Sequence, residues 1–390
     1  MNNRQLFLKH TAQTSPTPLA LEIVSASGSY LYDLAGKKYL DLIGGISVCN
    51  IGHGHPAVVA AIKQQADAYL HVMVYGEVVQ SPQVQYAALL AKHLPENLDC
   101  VYFTNSGAEA TEGALKLARR VTGRTDVIGC NNSYHGHTLG ALSVMGSEYW
   151  RNAFRPLLPG VWHYDYNSRE LIDAINEQTS CVIIETIQGE AGVMAPDINW
   201  LKQLRDKCSA TGALLIFDEI QCGFGRTGTL WGFQHYGVIP DIVLLGKALG
   251  GGMPMGAFVA SFGMMQELTL NPVLGHITTF GGHPLCCAAG MAGMQVLLDE
   301  HIIDGVAEKE ALFLSLLKHP AIKAVRSKGL LIAIELDTQQ QVSQTLARCL
   351  EKGLFSDWFL FAPQCIRFAP PLTISIEEIH TACDILISCL

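Results

Sequence analysis

Residues 213–252 read ALLIFDEIQCGFGRTGTLWGFQHYGVIPDIVLLGKALGGG, and two short apolar runs inside them organise the rest of the chain. Ala213 to Phe217 runs straight into Asp218-Glu219. Ile242 to Leu245 runs through Gly246 into Lys247, followed by Ala248-Leu249 and three glycines. Short apolar runs that end in polar residues fit strands buried on both faces, as in a sheet covered by helices. Upstream, Cys181 to Ile184 ends the same way at Glu185. Asp126 to Gly129 and Val101-Tyr102-Phe103 are further short apolar runs. Helical segments separate them, and this alternation predicts α/β layers around a mostly parallel sheet. Ligands of open α/β sheets bind beyond the carboxyl ends of the strands, so Glu185, Asp218 and Lys247 are candidates for one shared site.

Outside this centre the pattern changes. Ser25 to Leu42 is short and strand-like with turns at Gly28 and Ala35-Gly36-Lys37, which predicts a small meander. Pro56 to Leu70 and Ser81 to Leu94 have helical period, the first with proline at its start. A long helix is expected after Pro284. From Ile322 the tail returns to strand, helix, strand, helix. The predicted layout is a large α/β domain over 56–300, flanked by a smaller α/β domain made of 1–55 and 301–390.

Composition narrows the function classes. The 390 residues are 49% hydrophobic and 16% charged, which suits a folded chain with an ample core. The net charge of −9 argues against non-specific binding to nucleic acid or an anionic membrane. The twelve cysteines include no C-x-x-C pair, and Cys286 and Cys287 are adjacent. That suits neither a disulfide framework nor a zinc site, so no metal site is read and a reducing cytoplasm is expected. The first residues hold no apolar leader, and no apolar run approaches the roughly 18–20 residues of a membrane span.

Three elements carry chemistry. A lysine desolvated between a buried strand and three glycines has a lowered pKa, so more of it is the neutral amine that forms imines; Lys247 stands in that position. An ionised Asp218 beside a pyridine nitrogen keeps that nitrogen protonated, and the protonated ring is an electron sink for a carbanion. Gln221 follows closely and can donate to a ring oxygen. Asn105-Ser106-Gly107-Ala108-Glu109 starts a helix, with Ser106 and Glu109 spaced as a capping box. Free N–H groups at such a helix start bind phosphate. Tyr134, in Tyr134-His135-Gly136, is an aromatic able to stack on a flat ring.

Together these residues resemble the class III aminotransferases, the family of the ornithine, acetylornithine and 4-aminobutyrate enzymes. The resemblance spans essentially the whole chain and is most specific at Leu215 to Gly228 and Gly246 to Gly252. It implies fold type I, pyridoxal 5'-phosphate as cofactor, and a homodimer with shared active sites. It also implies roles. Lys247 resembles the Schiff-base lysine and proton shuttle, and Asp218 the partner of the pyridine nitrogen. Gln221 resembles a ring-oxygen contact, and Ser106, Gly107 and Ala108 the phosphate cup. Tyr134 resembles the stacking aromatic, and Thr279 the threonine that reaches the phosphate held by the other subunit. Arg367 resembles the arginine that binds a substrate carboxylate, and Glu190 the glutamate that hides it.

Departures from the family pattern bear on the substrate. His137 stands where many members have an arginine for a distal carboxylate. Thr14 and Ile46 stand where the ornithine enzymes have tyrosines. Gly246, Thr186 and His283 replace a usual serine, proline and asparagine. Arg151 or Arg155 can restore the lost charge only by folding into the site. The expected activity is transfer of an amino group from a primary, terminal amine or amino acid to a 2-oxo acid by a ping-pong mechanism. Acetylornithine aminotransferase is one alternative. A mutase, racemase or decarboxylase is another, and a non-enzymatic binding protein is opposed by the intact Lys247, Asp218 and Gln221.

Overall fold

The meander read between Ser25 and Leu42 is β1 (Ile23–Ser27), β2 (Tyr30–Asp33) and β3 (Lys38–Asp41), antiparallel throughout, in a computed structural model that describes residues 1–390. Helices Pro56–Ala68 and Ser81–Lys92 follow, each with proline in its first turn, where its missing N–H has no partner to lose.

The central sheet comprises β4 (Cys100–Thr104), β5 (Asp126–Cys130), β6 (Val161–Tyr164), β7 (Thr179–Glu185), β8 (Leu214–Asp218), β9 (Ile242–Leu245) and β10 (Gly256–Ala260). Its order is β4-β10-β9-β8-β7-β5-β6. The strands from β9 to β6 are parallel, whereas β10 runs antiparallel to both neighbours. Neither β6 nor β10 is read from the sequence. Their sequences, VWHY and GAFVA, carry little local signal, and pairing with distant strands makes them strands.

The sheet is a layer between two cores. Val182, Ile184, Leu215, Phe217, Val243 and Leu245 pack into one apolar cluster. Cys181, Ile183, Ile216, Ile242 and Leu244 pack into another, against Ala114, Leu117 and Ala118 of helix Gly107–Thr122. Alternate side chains of one strand point to opposite faces, so burial on both faces requires the continuous apolar runs seen in the sequence.

Register gathers the strand-end residues. Glu185 lies opposite Asp218, and Asp218 opposite Leu244, just before Lys247.

The last part of the chain forms β11 (Ala324–Lys328), β12 (Leu331–Glu335), β13 (Leu354–Phe355), β14 (Asp357–Phe359) and β15 (Ala362–Phe368), with helices Gln339–Glu351 and Ile376–Ile387. β13 runs parallel to β3, so both chain ends share one four-stranded sheet. β11, β12, β15 and β14 make an antiparallel sheet in that order. There Arg367 lies between Ala333 of β12 and Asp357 of β14. No helix is long and apolar enough to cross a membrane.

Candidate active site

A cavity of about 270 Å³ opens where β7, β8 and β9 end. Lys247 lines it, on a short turn with φ 49°. A lysine in the left-handed region is strained backbone, of the kind held in place at functional sites. Burial holds the Lys247 amine below the ordinary lysine value; Arg367 pushes the same way, and the carboxylates of Glu190, Asp218 and Glu185 oppose it.

Asp218 faces the same cavity, with one oxygen committed on each side. Oδ1 accepts the Ile220 N–H at 2.9 Å, and Oδ2 accepts Nδ1–H of His135 at 2.7 Å. The role of His135 is not read from the sequence. It sits in the Tyr134-His135-Gly136 turn, but only the fold shows its contact with a residue far along the chain. His135 is buried, and its Nε2 has no partner.

Glu185 accepts the Tyr134 N–H at 3.0 Å and the Gly189 N–H at 2.9 Å. Burial pushes its carboxyl up to about 7, against the pull of His135 and these donors. Glu185 thus fastens the Tyr134 turn to the strand end, and the half-buried Tyr134 lines the cavity.

The helix start departs from the expected capping box. Ser106 Oγ accepts the Glu109 N–H at 3.2 Å, as a capping box requires. Glu109 returns to Asn105 instead, accepting its backbone N–H and its Nδ2, both at 2.8 Å. Asn105 is thereby fixed, and its Nδ2 also reaches Thr278 Oγ1 at 3.0 Å. Ser106, Gly107 and Ala108 line the cavity, and helix geometry leaves the first N–H groups without intrahelical acceptors.

Gln221 is 7% exposed and its Nε2 is buried without a partner. Gly189 makes its position possible, because a Cβ there would lie 1.9 Å from Gln221 Oε1. A buried, unsatisfied amide facing a cavity is the expected trace of a missing acceptor.

Next to this wall Arg367 and Glu190 form a closed pair, 2% and 5% exposed. Arg367 Nη2 donates to Glu190 Oε2 at 2.8 Å, and Nη1 lies 2.8 Å from Oε1. Nη2 also donates to the Trp358 carbonyl at 3.1 Å, and the Phe359 ring centre lies 4.5 Å from the guanidinium. Nε lies 3.1 Å from Asp357 Oδ1. The Leu360 N–H holds Glu190 Oε2 at 2.9 Å. Burial works against charge on Arg367, but Glu190 and Asp357 outweigh it and hold the guanidinium above its ordinary value. Glu190 lines the cavity and Arg367 stands behind it.

The remaining candidates lie outside this grouping. His137 is exposed at the cavity rim, its ring 5.5 Å from that of Tyr134. Arg151 and Arg155 both bind Glu148, at 2.8 and 2.7 Å, and neither lines the cavity. Ile46 is 42% exposed with φ 62° and does not line the cavity; Thr14 is exposed. Thr279 is exposed and also outside the cavity lining. Thr186, in place of a proline, donates to Glu219 Oε1 at 2.6 Å. The Gly232 and Phe233 N–H groups complete the Glu219 site, which makes it a structural acid rather than a cavity group.

These residues fit pyridoxal phosphate. The fit rests on the depressed amine of Lys247, the buried carboxylate of Asp218, the unpartnered Gln221 Nε2 and the helix start at Ser106 to Ala108. The comparisons agree. Residues 11–390 match the family Aminotransferase class-III. The acetylornithine aminotransferase of Methanosarcina mazei is 40% identical, over 97% of this chain and 93% of its own. That of Methanocaldococcus jannaschii is 41% identical, over 93% and 91%. A solved ornithine aminotransferase from Toxoplasma gondii, with partial occupancy of pyridoxal phosphate at its active site, superposes with a TM-score of 0.90 at 32% identity, over 99% of this chain and 92% of its own. The chain therefore belongs to the class III aminotransferases, fold type I transaminases that work with pyridoxal phosphate.

Proposed function

We propose that this enzyme takes the amino group from a terminal primary amine, with acetylornithine as the leading donor, and delivers it to a 2-oxo acid in two half-reactions at one site. The carrying observation is the closed Arg367–Glu190 pair beside Lys247. With Glu190 covering the guanidinium, the wall offers no bare positive charge, which suits a donor whose reacting carbon bears no carboxylate. A 2-oxo acid must displace Glu190 to reach Arg367. The names of the relatives at about 40% identity favour acetylornithine.

The bound cofactor supplies the reactive carbonyl carbon and the electron sink. Asp218, held by His135 and the Ile220 N–H, is the acceptor for a protonated ring nitrogen. Gln221 Nε2 is the donor for the ring oxygen, Tyr134 the stacking face, and Ser106 to Ala108 the phosphate seat. Lys247 Nζ, freed when a donor amine takes its place, would move a proton from the donor carbon to the cofactor carbon, and in the opposite half-reaction from the cofactor carbon to the acceptor carbon.

The enzyme works as a homodimer in the cytoplasm, with 56–300 as the large domain and 1–55 with 301–390 as the small one. Thr279 serves the partner's cofactor. Its exposure, beside exposed Val273, Leu274, Ile277 and Phe280, supports a covered face.

A panel of amines and 2-oxo acids, read by cofactor absorbance in single half-reactions, tests the proposal. Acetylornithine should convert the enzyme to its pyridoxamine phosphate form, and a 2-oxo acid should reverse it. Return to the starting spectrum with no oxo product would indicate a racemase or decarboxylase instead.

A further inference from the structure

We infer that Asp357 is a second acidic partner of Arg367 which biases this subsite against carboxylates, and so sets the preference between amines without an adjacent carboxylate and 2-oxo acids. The inference rests on the proposed reaction and deepens it.

The placement follows from strand register. β14 runs antiparallel to β15, with Asp357 directly opposite Arg367. Side chains opposite each other share a face of the sheet, so the two charges must meet. On the other side of Arg367 stands Ala333, which is too small to compete. The same short strand supplies the Trp358 carbonyl and the Phe359 ring, and the following turn supplies the Leu360 N–H that holds Glu190. Residues 357–360 therefore enclose both members of the Arg367–Glu190 pair.

The charge count decides the consequence. One guanidinium faces two carboxylates, Glu190 on its Nη edge and Asp357 on its Nε edge. Burial pushes the Asp357 carboxyl up to about 6 against the pull of Arg367, so at neutral pH the three groups together carry about one negative charge before any substrate arrives. An incoming carboxylate can replace Glu190 at the Nη edge, but Asp357 stays on the Nε edge and repels it. A neutral or cationic group at that position meets no such opposition. Asp357 also keeps Arg367 neutralised and in place while Glu190 is displaced, so the pair can open without a bare buried charge. Asp357 acts through Arg367 and is a positioning residue, not a catalytic one.

The test uses enzyme loaded with pyridoxal phosphate and titrates it with glutarate, an unreactive dicarboxylate, by calorimetry. Asp357→Asn should bind glutarate about tenfold more tightly than the unmodified enzyme, the effect of removing one partly exposed charge. Asp357→Glu should return the affinity toward the starting value. In the half-reaction with pyruvate, Asp357→Asn should lower KM and leave kcat nearly unchanged. Unchanged or weaker glutarate binding in a fully loaded Asp357→Asn enzyme overturns the inference. So does tightening that persists when Arg367→Ala is added. Loss of bound cofactor in both Asp357→Asn and Asp357→Ser would show a structural role instead. Failure of every amine to react would refute the proposed reaction, yet would leave the glutarate titration readable.

Discussion

The two ends of the site are built on opposite terms. At the cofactor end, Gln221 Nε2 and His135 Nε2 are buried and unpartnered, while the groups that position them are tied down. At the carboxylate end, Arg367 is enclosed by Glu190, Asp357, the Trp358 carbonyl and the Phe359 ring. Unpaired polar atoms in a folded core cost free energy, so their presence marks a place where a resident group completes the structure. Arg367 Nε, Arg367 Nη1 and Asp357 Oδ1 also lack a well-formed hydrogen bond, but each stands against an opposite charge, at 2.8 or 3.1 Å, so a ligand at this end must compete with a partner already in place. The first end is preorganised for something that stays, and the second for groups that come and go.

The most severe way to break the cofactor end is Lys247→Ala. On the proposed reaction it removes both the attachment point and the group that moves the proton. Removing a positioned acid–base group typically costs about 10²- to 10⁴-fold in rate. Pyridoxamine phosphate formation by stopped-flow absorbance should fall by at least that much. Borohydride reduction of the unmodified enzyme should fix the cofactor on the peptide that holds Lys247. Recovery of the label on another lysine would show that the cofactor end has been misassigned.

Legibility differed between the two ends for a physical reason. Glu185, Asp218 and Lys247 could be read because each ends a buried run, and parallel pairing brings such ends together. Ser106 could be read because capping is local. The reciprocal half of the cap went to Asn105 rather than Ser106, a choice between adjacent backbone groups that spacing does not decide. His135 needed the tertiary fold, since its partner Asp218 is remote in sequence. Asp357 is not legible in the sequence, because β14 is very short and its register with β15 depends on the hairpin turn. β6 and β10 are illegible for a related reason, as their strand character comes from neighbours rather than from their own residues.

Thr279→Ala asks whether the cofactor end is complete within one chain. Thr279 is exposed in the single chain and absent from the cavity lining, although its neighbour Thr278 is tied to Asn105 at the helix start. If it serves a partner's phosphate, its loss should weaken cofactor retention by about 1.5–3 kcal/mol, or roughly 10- to 100-fold, as for a hydrogen bond to a charged group. Equilibrium dialysis against pyridoxal phosphate measures this. Subunit mixing of Thr279→Ala with Lys247→Ala then separates the arrangements. With sharing across the interface, one site of the mixed dimer lacks both groups and the other lacks neither, so activity should reappear. Mixtures no more active than their parents would place the threonine in its own chain's site.

The smallest expected effect lies at the rim, beyond both ends. His137 is exposed there, where the family resemblance leads one to expect arginine. Arginine offers a permanent charge and a planar fork for a carboxylate, whereas a histidine is shorter and offers at most one comparable contact. The nearby arginines do not compensate, since Arg151 and Arg155 share Glu148 and Arg151 also donates to the Met145 carbonyl. On the proposed reaction Arg367 is left as the main carboxylate anchor, and a distal carboxylate on the acceptor gains little. Pyruvate should therefore compete well with 2-oxoglutarate in the second half-reaction. His137→Arg should raise kcat/KM for 2-oxoglutarate relative to pyruvate by about tenfold, the low end for a new charge-assisted hydrogen bond at an exposed position. Arg367→Ala should harm both acceptors, because both carry the carboxylate that it is proposed to bind. A native enzyme that already prefers 2-oxoglutarate strongly, with a ratio that His137→Arg does not move, would mean that some other group holds the distal carboxylate.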